Sequence, residues 1–129
     1  MKDGKGYVKE YCNGWLEFEG EYLYGARNGK GKEIYYDKLK FEGEYLNGLR
    51  NGKGKEYNED GDLIFEGEYL NGEKNGKGKE YFNGKLIFEG GYLNGEKNGE
   101  GKEYNINGEL IFDGKFLKGK KIQKQIWKY

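Results

Sequence analysis

The segment from Phe65 to Tyr81 reads FEGEYLNGEKNGKGKEY, and near-copies of it begin at Phe18, Phe41 and Phe88. A truncated copy begins at Phe112, so the steps between these phenylalanines are 23, 24, 23 and 24 residues. Self-similarity at a fixed period of this size indicates a repeat architecture, in which each unit needs its neighbours to bury its apolar residues. The repetition therefore supplies a core that one copy is too polar to form.

Each unit contains two strand patterns. Phe65, Gly67 and Tyr69 alternate with two glutamates, which is the period-2 pattern of a half-buried strand. The polar segment Asn71–Gly76 is predicted to connect this strand to a second short strand, Lys77–Tyr81. Glycine costs about 1 kcal/mol at each helical position, so its frequency argues against helices. The sequence predicts an all-β protein, an elongated single-layer antiparallel meander of stacked β-hairpins.

The 23- and 24-residue steps differ because of one turn. The segment Phe82–Lys85 is typical of a two-residue Asn-Gly hairpin turn. The longer segment Asn58–Asp62 fits a three-residue turn with glycine in the left-handed conformation and a bulge. Both turns return the chain in the same direction, so the repeat continues through the insertion.

Glycines and charged residues recur at fixed positions in the units. Gly67 leaves a gap between two rings of one face, and Gly78 on the partner strand leaves another, so we expect rings to lie over bare backbone. One lysine row (Lys32, Lys55, Lys79 and Lys102) and one glutamate row (Glu33, Glu56, Glu80 and Glu103) also recur. Opposite charges on neighbouring strands would contribute about 0.2–1 kcal/mol per pair, which favours a role of both rows in register and solubility.

Composition excludes several classes of protein. The 129 residues include 23 basic and 23 acidic side chains, so there is no net positive charge with which to bind nucleic acid. No apolar run approaches the roughly 20 residues of a transmembrane helix, and the first residues lack the apolar core of a signal peptide. The single cysteine, Cys12, cannot form an internal disulfide, so we expect a reducing, cytoplasmic location.

Catalytic chemistry has little support in the sequence. The chain has no histidine, serine or threonine, which excludes Ser-His-Asp and Cys-His nucleophilic sites and histidine-based zinc sites. Glu66 and Glu68 resemble the carboxylate pair of a glycosidase, but their copies in most units indicate a solvated face instead. Cys12 lies in a turn without an activating histidine. We predict no enzyme activity, cofactor, metal or small-molecule substrate.

The pattern F-E-G-E-Y-x-N-G-x-x-N-G-x-G closely resembles the MORN repeat over about residues 3–119. The matching positions include Phe41, Gly43, Tyr45, Gly48, Gly52 and Gly54, and again Phe65, Gly67, Tyr69, Gly72, Gly76 and Gly78. Tyrosine replaces the commoner tryptophan, and Gly91 stands where other full units have Glu21, Glu44 and Glu68. The resemblance implies a twisted single sheet with an aromatic groove and a non-catalytic role in protein association, often including self-association.

We expect residues 1–118 to form the repeat array, with a partial unit at 3–17, units starting at 18, 41, 65 and 88, and a partial unit from 112. The candidate partner-binding row is aromatic and consists of Tyr22, Tyr45, Tyr69, Tyr92 and Phe116. In a one-layer sheet these rings serve equally well as core.

The segment 119–129 is basic and leaves the repeat pattern. Ile122 and Ile126 suit a short helix, yet Ile122, Lys124 and Ile126 also alternate as in a strand. One interpretation is a cap over the last open sheet edge. The other is a docking segment, with Lys120, Lys121, Lys124 and Trp127 as candidate contacts.

The sequence thus predicts a scaffold that binds a protein partner and also forms a homodimer through its open terminal strands. Two alternatives remain at this point. One is a module that binds anionic phospholipid or phosphoinositide, and the other is a bacterial antitoxin-like or immunity-like partner.

Overall fold

A computed structural model describes residues 2–122 of the chain, and in it the described residues form one antiparallel sheet. A short 3-10 helix, Lys2–Gly4, precedes eleven strands. The strands are β1 (Lys5–Cys12), β2 (Trp15–Leu23), β3 (Ala26–Tyr35), β4 (Lys38–Leu46), β5 (Leu49–Tyr57), β6 (Leu63–Leu70), β7 (Glu73–Phe82), β8 (Lys85–Leu93), β9 (Glu96–Tyr104), β10 (Leu110–Leu117) and β11 (Lys120–Ile122). Each strand pairs with its neighbours in sequence, which confirms the predicted meander of hairpins.

The register repeats from hairpin to hairpin because the same residue types meet at the same place. One glycine of each strand from β2 to β9 lies opposite a glycine of the next strand. We call this set the glycine ladder: Gly20, Gly31, Gly43, Gly54, Gly67, Gly78, Gly90, Gly101 and Gly114. The ladder fixes which side chains share a face across the whole sheet.

The predicted six-residue connection Asn71–Gly76 is wrong. The turn is only Asn71–Gly72, and strand β7 already begins at Glu73. The polar residues that follow remain extended because Tyr69 pairs with Lys74 before the register shifts and Gly67 pairs with Gly78. The shift is a β-bulge that accommodates Gly76 at a φ of 99°.

Both predicted kinds of turn at the other end of the hairpins are confirmed. Asn83 and Gly84 have φ angles of 48° and 77°, as a two-residue hairpin turn with two left-handed residues requires. In the longer turn Gly61 has a φ of 86° and donates its N–H to the carbonyl of Asn58 at 3.0 Å. The Asn58 N–H bonds the carbonyl of Asp62 at 2.9 Å and closes the bulged loop.

The core lies on one face of the sheet, which we call the ring face. Its buried side chains are Phe18, Phe41, Tyr45, Phe65, Tyr69, Phe88, Tyr92 and Phe116. The rings pack edge to face, for example Phe65 against Tyr92 with centroids 5.3 Å apart. They lie over ladder glycines, since a Cβ at Gly78 would come within 2.6 Å of Phe65 and 2.8 Å of Tyr92. The expectation that rings cover bare backbone is therefore confirmed.

The end of the described sheet is only partly covered. Strand β11 is three residues long and pairs with Lys115, Phe116 and Leu117 of β10. The remaining tail, which includes the candidate contacts Lys124 and Trp127, lies outside the described residues. Within residues 2–122, no helix has the length and apolar character that a membrane crossing requires.

Candidate binding groove

The ring face is closed by charged side chains of the same chain. A cationic group of the following strand lies over each buried phenylalanine ring of β2, β4, β6 and β8, a favourable cation–π contact. The pairs are Arg27 over Phe18 and Arg50 over Phe41, each 4.0 Å from the ring centroid, Lys74 over Phe65 at 4.1 Å and Lys97 over Phe88 at 4.2 Å. The rings therefore have side chains above them and glycine backbone beneath them.

Carboxylates anchor the tyrosine hydroxyls of the ring face. The bonds run from Tyr22 to Glu10 (2.6 Å), from Tyr45 to Glu33, Tyr69 to Glu56 and Tyr92 to Glu80 (each 2.5 Å). Burial and the bond to Glu56 raise the pKa of Tyr69 well above its ordinary value. Burial alone would raise the pKa of Glu33, but hydrogen bonds from Arg50 and Tyr45 outweigh it and lower that pKa. The glutamate row, for which the sequence favours a role in register and solubility, is thus half-buried: Glu33, Glu56 and Glu80 accept hydrogen bonds from tyrosines, and Glu103 pairs with Lys97 and Lys121.

The candidate aromatic row lies in the core. Tyr45, Tyr69, Tyr92 and Phe116 expose between 3% and 6% of their surface, and Tyr22 at the N-terminal end is half-buried. A partner on this side would meet the covering cations and carboxylates rather than the rings. Of the candidate tail contacts, Lys120 is exposed, and Lys121 pairs with Glu103 at 2.7 Å.

The opposite face forms an open groove of about 1400 Å³ with the glycine ladder as its floor. One side of the ladder carries a row of alternating charge, which we call the charge row. Its members, in order across β1 to β10, are Lys9, Glu19, Lys32, Glu42, Lys55, Glu66, Lys79, Glu89, Lys102 and Asp113. Each inner member faces opposite charges on both adjacent strands, as expected for the lysine row, and the end members Lys9 and Asp113 each face one. We call the space lined by this row and the ladder the charged groove.

Tyrosines brace the glutamates of the charged groove. The hydroxyl of Tyr57 donates to Glu42 at 2.6 Å and that of Tyr81 to Glu66 at 2.5 Å. Burial and the bond to Glu42 raise the pKa of Tyr57 to about 12. Burial and the bond to Glu66 do the same for Tyr81. These bonds hold the carboxylates in fixed orientations, so the groove presents a rigid pattern of charge.

The family of the chain is shown by the sequence of its four full repeat units. A model of the MORN repeat matches residues 18–40, 41–63, 65–85 and 88–109, which together cover more than half of the chain. The chain belongs to the MORN-repeat family. No curated protein matches the chain in sequence. MORN repeats are generally associated with modules for protein or membrane association and are not known as an enzyme family.

In each of the first three full MORN units, a second glutamate accepts a hydrogen bond from the backbone of a bulge in the groove wall. We call this contact the glutamate brace. The bulge N–H donates to the carboxylate from Lys30 to Glu21 (3.0 Å), from Lys53 to Glu44 (3.1 Å) and from Lys77 to Glu68 (3.4 Å). Each glutamate side chain lies over the bulge glycine of its unit, Gly29, Gly52 or Gly76. The bulge takes this backbone N–H out of the hydrogen bonding between the strands, and the glutamate carboxylate accepts its hydrogen bond instead.

The sequence contained a signal for the groove tyrosines that its interpretation missed. Tyr57 follows Lys55 by two residues, and strand alternation puts both on the same face. Interpreting the MORN pattern as an aromatic groove favoured the ring face instead. The open groove lies on the opposite face, with the charge row and its tyrosines.

The described MORN units offer no arrangement suited to holding a metal. Within residues 2–122, no cluster of three or more His, Cys, Asp or Glu side chains is placed for metal binding. Cys12 is a free, exposed thiol in the part of the chain that the structure describes. Glu66 and Glu68, the carboxylates considered for glycosidase chemistry, respectively accept a hydrogen bond from Tyr81 and brace a bulge.

Proposed function

We propose that this MORN array is a non-catalytic scaffold that binds a protein partner in its charged groove. The observation that carries the proposal is the difference between the two faces. The ring face is covered by the chain's own arginines, lysines and glutamates. The charged groove is open along β1 to β10 and has polar groups held in fixed positions.

The charge row favours a polypeptide over a lipid surface. Lys55 faces Glu42 on one side and Glu66 on the other, and Lys32, Lys79 and Lys102 also lie between two acidic residues. An anionic membrane would have to compete with these carboxylates for every lysine. A polypeptide with side chains of both signs can match the alternation, which gives specificity as well as attraction.

Charge reversal within the groove tests this proposal. After affinity capture of a partner, we expect Lys79→Glu to raise the dissociation constant at least about tenfold, because it places three acidic groups side by side. The control Lys85→Glu makes the same change at an exposed residue next to a turn and should alter the constant less than about twofold. Titration calorimetry measures both.

Equal affinities for the two variants would contradict a groove site. Co-sedimentation with vesicles that contain anionic phospholipid provides the lipid comparison. Retention of the wild-type protein on such vesicles, with loss on neutral ones, would instead favour the membrane alternative.

The ends of the array support self-association. On its outer side β1 has no strand partner among residues 2–122, and β11 pairs with only three residues of β10. The charge row ends in Lys9 on β1 and Asp113 on β10. Because these ends are of opposite sign, a second copy whose β1 takes the place of the three-residue β11 beside β10 would continue the alternation.

Sedimentation velocity tests this part of the proposal. We expect the average mass to rise with concentration and Lys9→Glu to weaken association about fivefold, since it opposes two acidic ends. The double variant Lys9→Glu/Asp113→Lys restores opposite ends and should recover association. A strict monomer at every concentration, or a double variant as weak as the single one, would argue against head-to-tail pairing.

A further inference from the structure

The fourth MORN unit lacks the glutamate brace. Gly91 occupies the position of Glu21, Glu44 and Glu68, and the equivalent bulge lies between its pairs Gly90–Gly101 and Tyr92–Lys97. Within residues 2–122, no side chain accepts a hydrogen bond from the N–H of Glu100, the counterpart of the three braced donors. The bulge is therefore present without its carboxylate.

The space left by the missing side chain is open over Gly99. In the first three units, a Cβ on the bulge glycine would meet the bracing carboxylate, whereas a Cβ on Gly99 would meet nothing within 4 Å. At Gly91 the backbone has moved in, since a Cβ there would overlap the carbonyl oxygen of Asn98. A ligand group would thus reach the Glu100 N–H from the side of Gly99.

A lysine beside this space has also lost the acidic neighbour on one of its two sides, although Glu68 remains on the other. Lys30 lies opposite Glu44 and Lys53 lies opposite Glu68, but Lys77 lies opposite Gly91. Glu100 itself lies on β9, opposite Lys115 of β10. The surroundings therefore hold Lys77 and Lys115 beside Glu68 and Glu100, together with an N–H whose counterparts bind carboxylates.

We propose that this place, the carboxylate notch formed by Lys77, Gly91, Gly99 and Glu100, binds a carboxylate of a partner polypeptide. The group is an acidic side chain or a C-terminal carboxylate, and it replaces the glutamate that the first three full units supply themselves. The inference rests on the proposed function, because the notch lies in the charged groove and specifies where an acidic group of the partner is anchored.

Propionate, which has the chemical form of a glutamate side chain, is the probe for the notch. In a ¹⁵N–¹H titration against matched sodium chloride, we expect saturable shifts of the Gly99 and Glu100 amides. The braced amides of Lys30 and Lys53 should not respond. Glu68→Ala removes a brace and should make Gly76 and Lys77 respond as well. Lys77→Gln should weaken binding at Glu100 about threefold.

Three outcomes would overturn the inference: no saturable shift at Glu100, equal shifts at all four bulges, or no new response in Glu68→Ala. Two short blocked peptides separate the sources of the carboxylate, one with an internal glutamate and an amidated end and one with a free C-terminus and no acidic residue. The groove variant Lys79→Glu separates this inference from the proposed function. If propionate still shifts the Glu100 amide in this variant, the notch binds carboxylates even when the groove binds no partner.

Discussion

Replacing Phe41 by alanine is expected to lower the free energy of unfolding by about 3–5 kcal/mol. The ring is fully buried, packs edge to face on Tyr45 and Tyr69 at centroid distances of 5.8 and 5.2 Å, and lies beneath Arg50. Its removal opens a cavity between two hairpins and leaves the cation without its ring. A single-layer sheet has no second layer that can collapse into this space.

Urea denaturation followed by circular dichroism measures the loss, and Phe82→Ala is the matched control. Phe82 is 56% exposed at the end of β7, so the same chemical change there should cost less than about 1 kcal/mol. If the two variants lose equal stability, the core does not lie on the ring face.

Gly67→Ala is expected to lower the free energy of unfolding by about 2–3 kcal/mol, although it adds only one methyl group. The new Cβ would lie 2.6 Å from the carbonyl oxygen of Lys77, 2.7 Å from the Cα of Gly78 and 2.8 Å from the Phe65 ring. Two of these neighbours are backbone atoms of the paired strand, so the strands must separate or the ring must leave its place.

Gly114→Ala is the control for this substitution. Gly114 is the last rung of the glycine ladder, and a Cβ there would meet only the Phe112 ring, at 2.9 Å or more. Because that ring is only partly buried, it has room to move. We expect a loss of under about 1 kcal/mol from the same denaturation experiment. Comparable losses at the two positions would mean that close strand contact at the ladder is not the cause.

Much of this architecture followed from the sequence because the constraints were local. The alternation of Phe65 and Tyr69 with glutamates fixed the strand and its buried face. The Asn83–Gly84 pair and the insertion around Gly61 fixed the turn types, since left-handed residues are needed at those positions. Repetition then extended each local result to the whole sheet.

The features that were missed depend on pairing between strands. The segment after Gly72 appeared as a loop because a bulge in which Gly76 is left-handed has the composition of a turn. The half-buried state of Glu56 could not be inferred from a regular lysine and glutamate pattern, because its partner Tyr69 lies 13 residues away. Which face is accessible depends on the cations that lie over the rings, and these contacts also join residues of different strands.

The two faces together explain how a polar chain becomes a binding module. Stability comes from the ring face, where each hairpin contributes a ring, a cation and a carboxylate to its neighbours. The charged groove carries little of that burden, so its side chains are available to match a partner. Within the groove, the fourth unit differs from the first three at Gly91, which replaces a glutamate, and at Glu100, which replaces a lysine.

The central claim is that the tyrosines of the ring face are core and leave the opposite groove as the binding face. Burial, together with bonds to Glu33, Glu56 and Glu80, raises the pKa of Tyr45, Tyr69 and Tyr92 above the ordinary value of 10.0. Their contribution to stability is therefore complete below about pH 10 and is lost as the pH rises toward their folded-state pKa values.

An alkaline titration of phenolate absorbance, recorded with circular dichroism, tests this claim most directly. We predict that three of the 13 tyrosines ionise only as the strands unfold, and that Tyr69→Phe reduces this delayed fraction to two. Ionisation of all 13 tyrosines while the sheet remains intact would contradict the account.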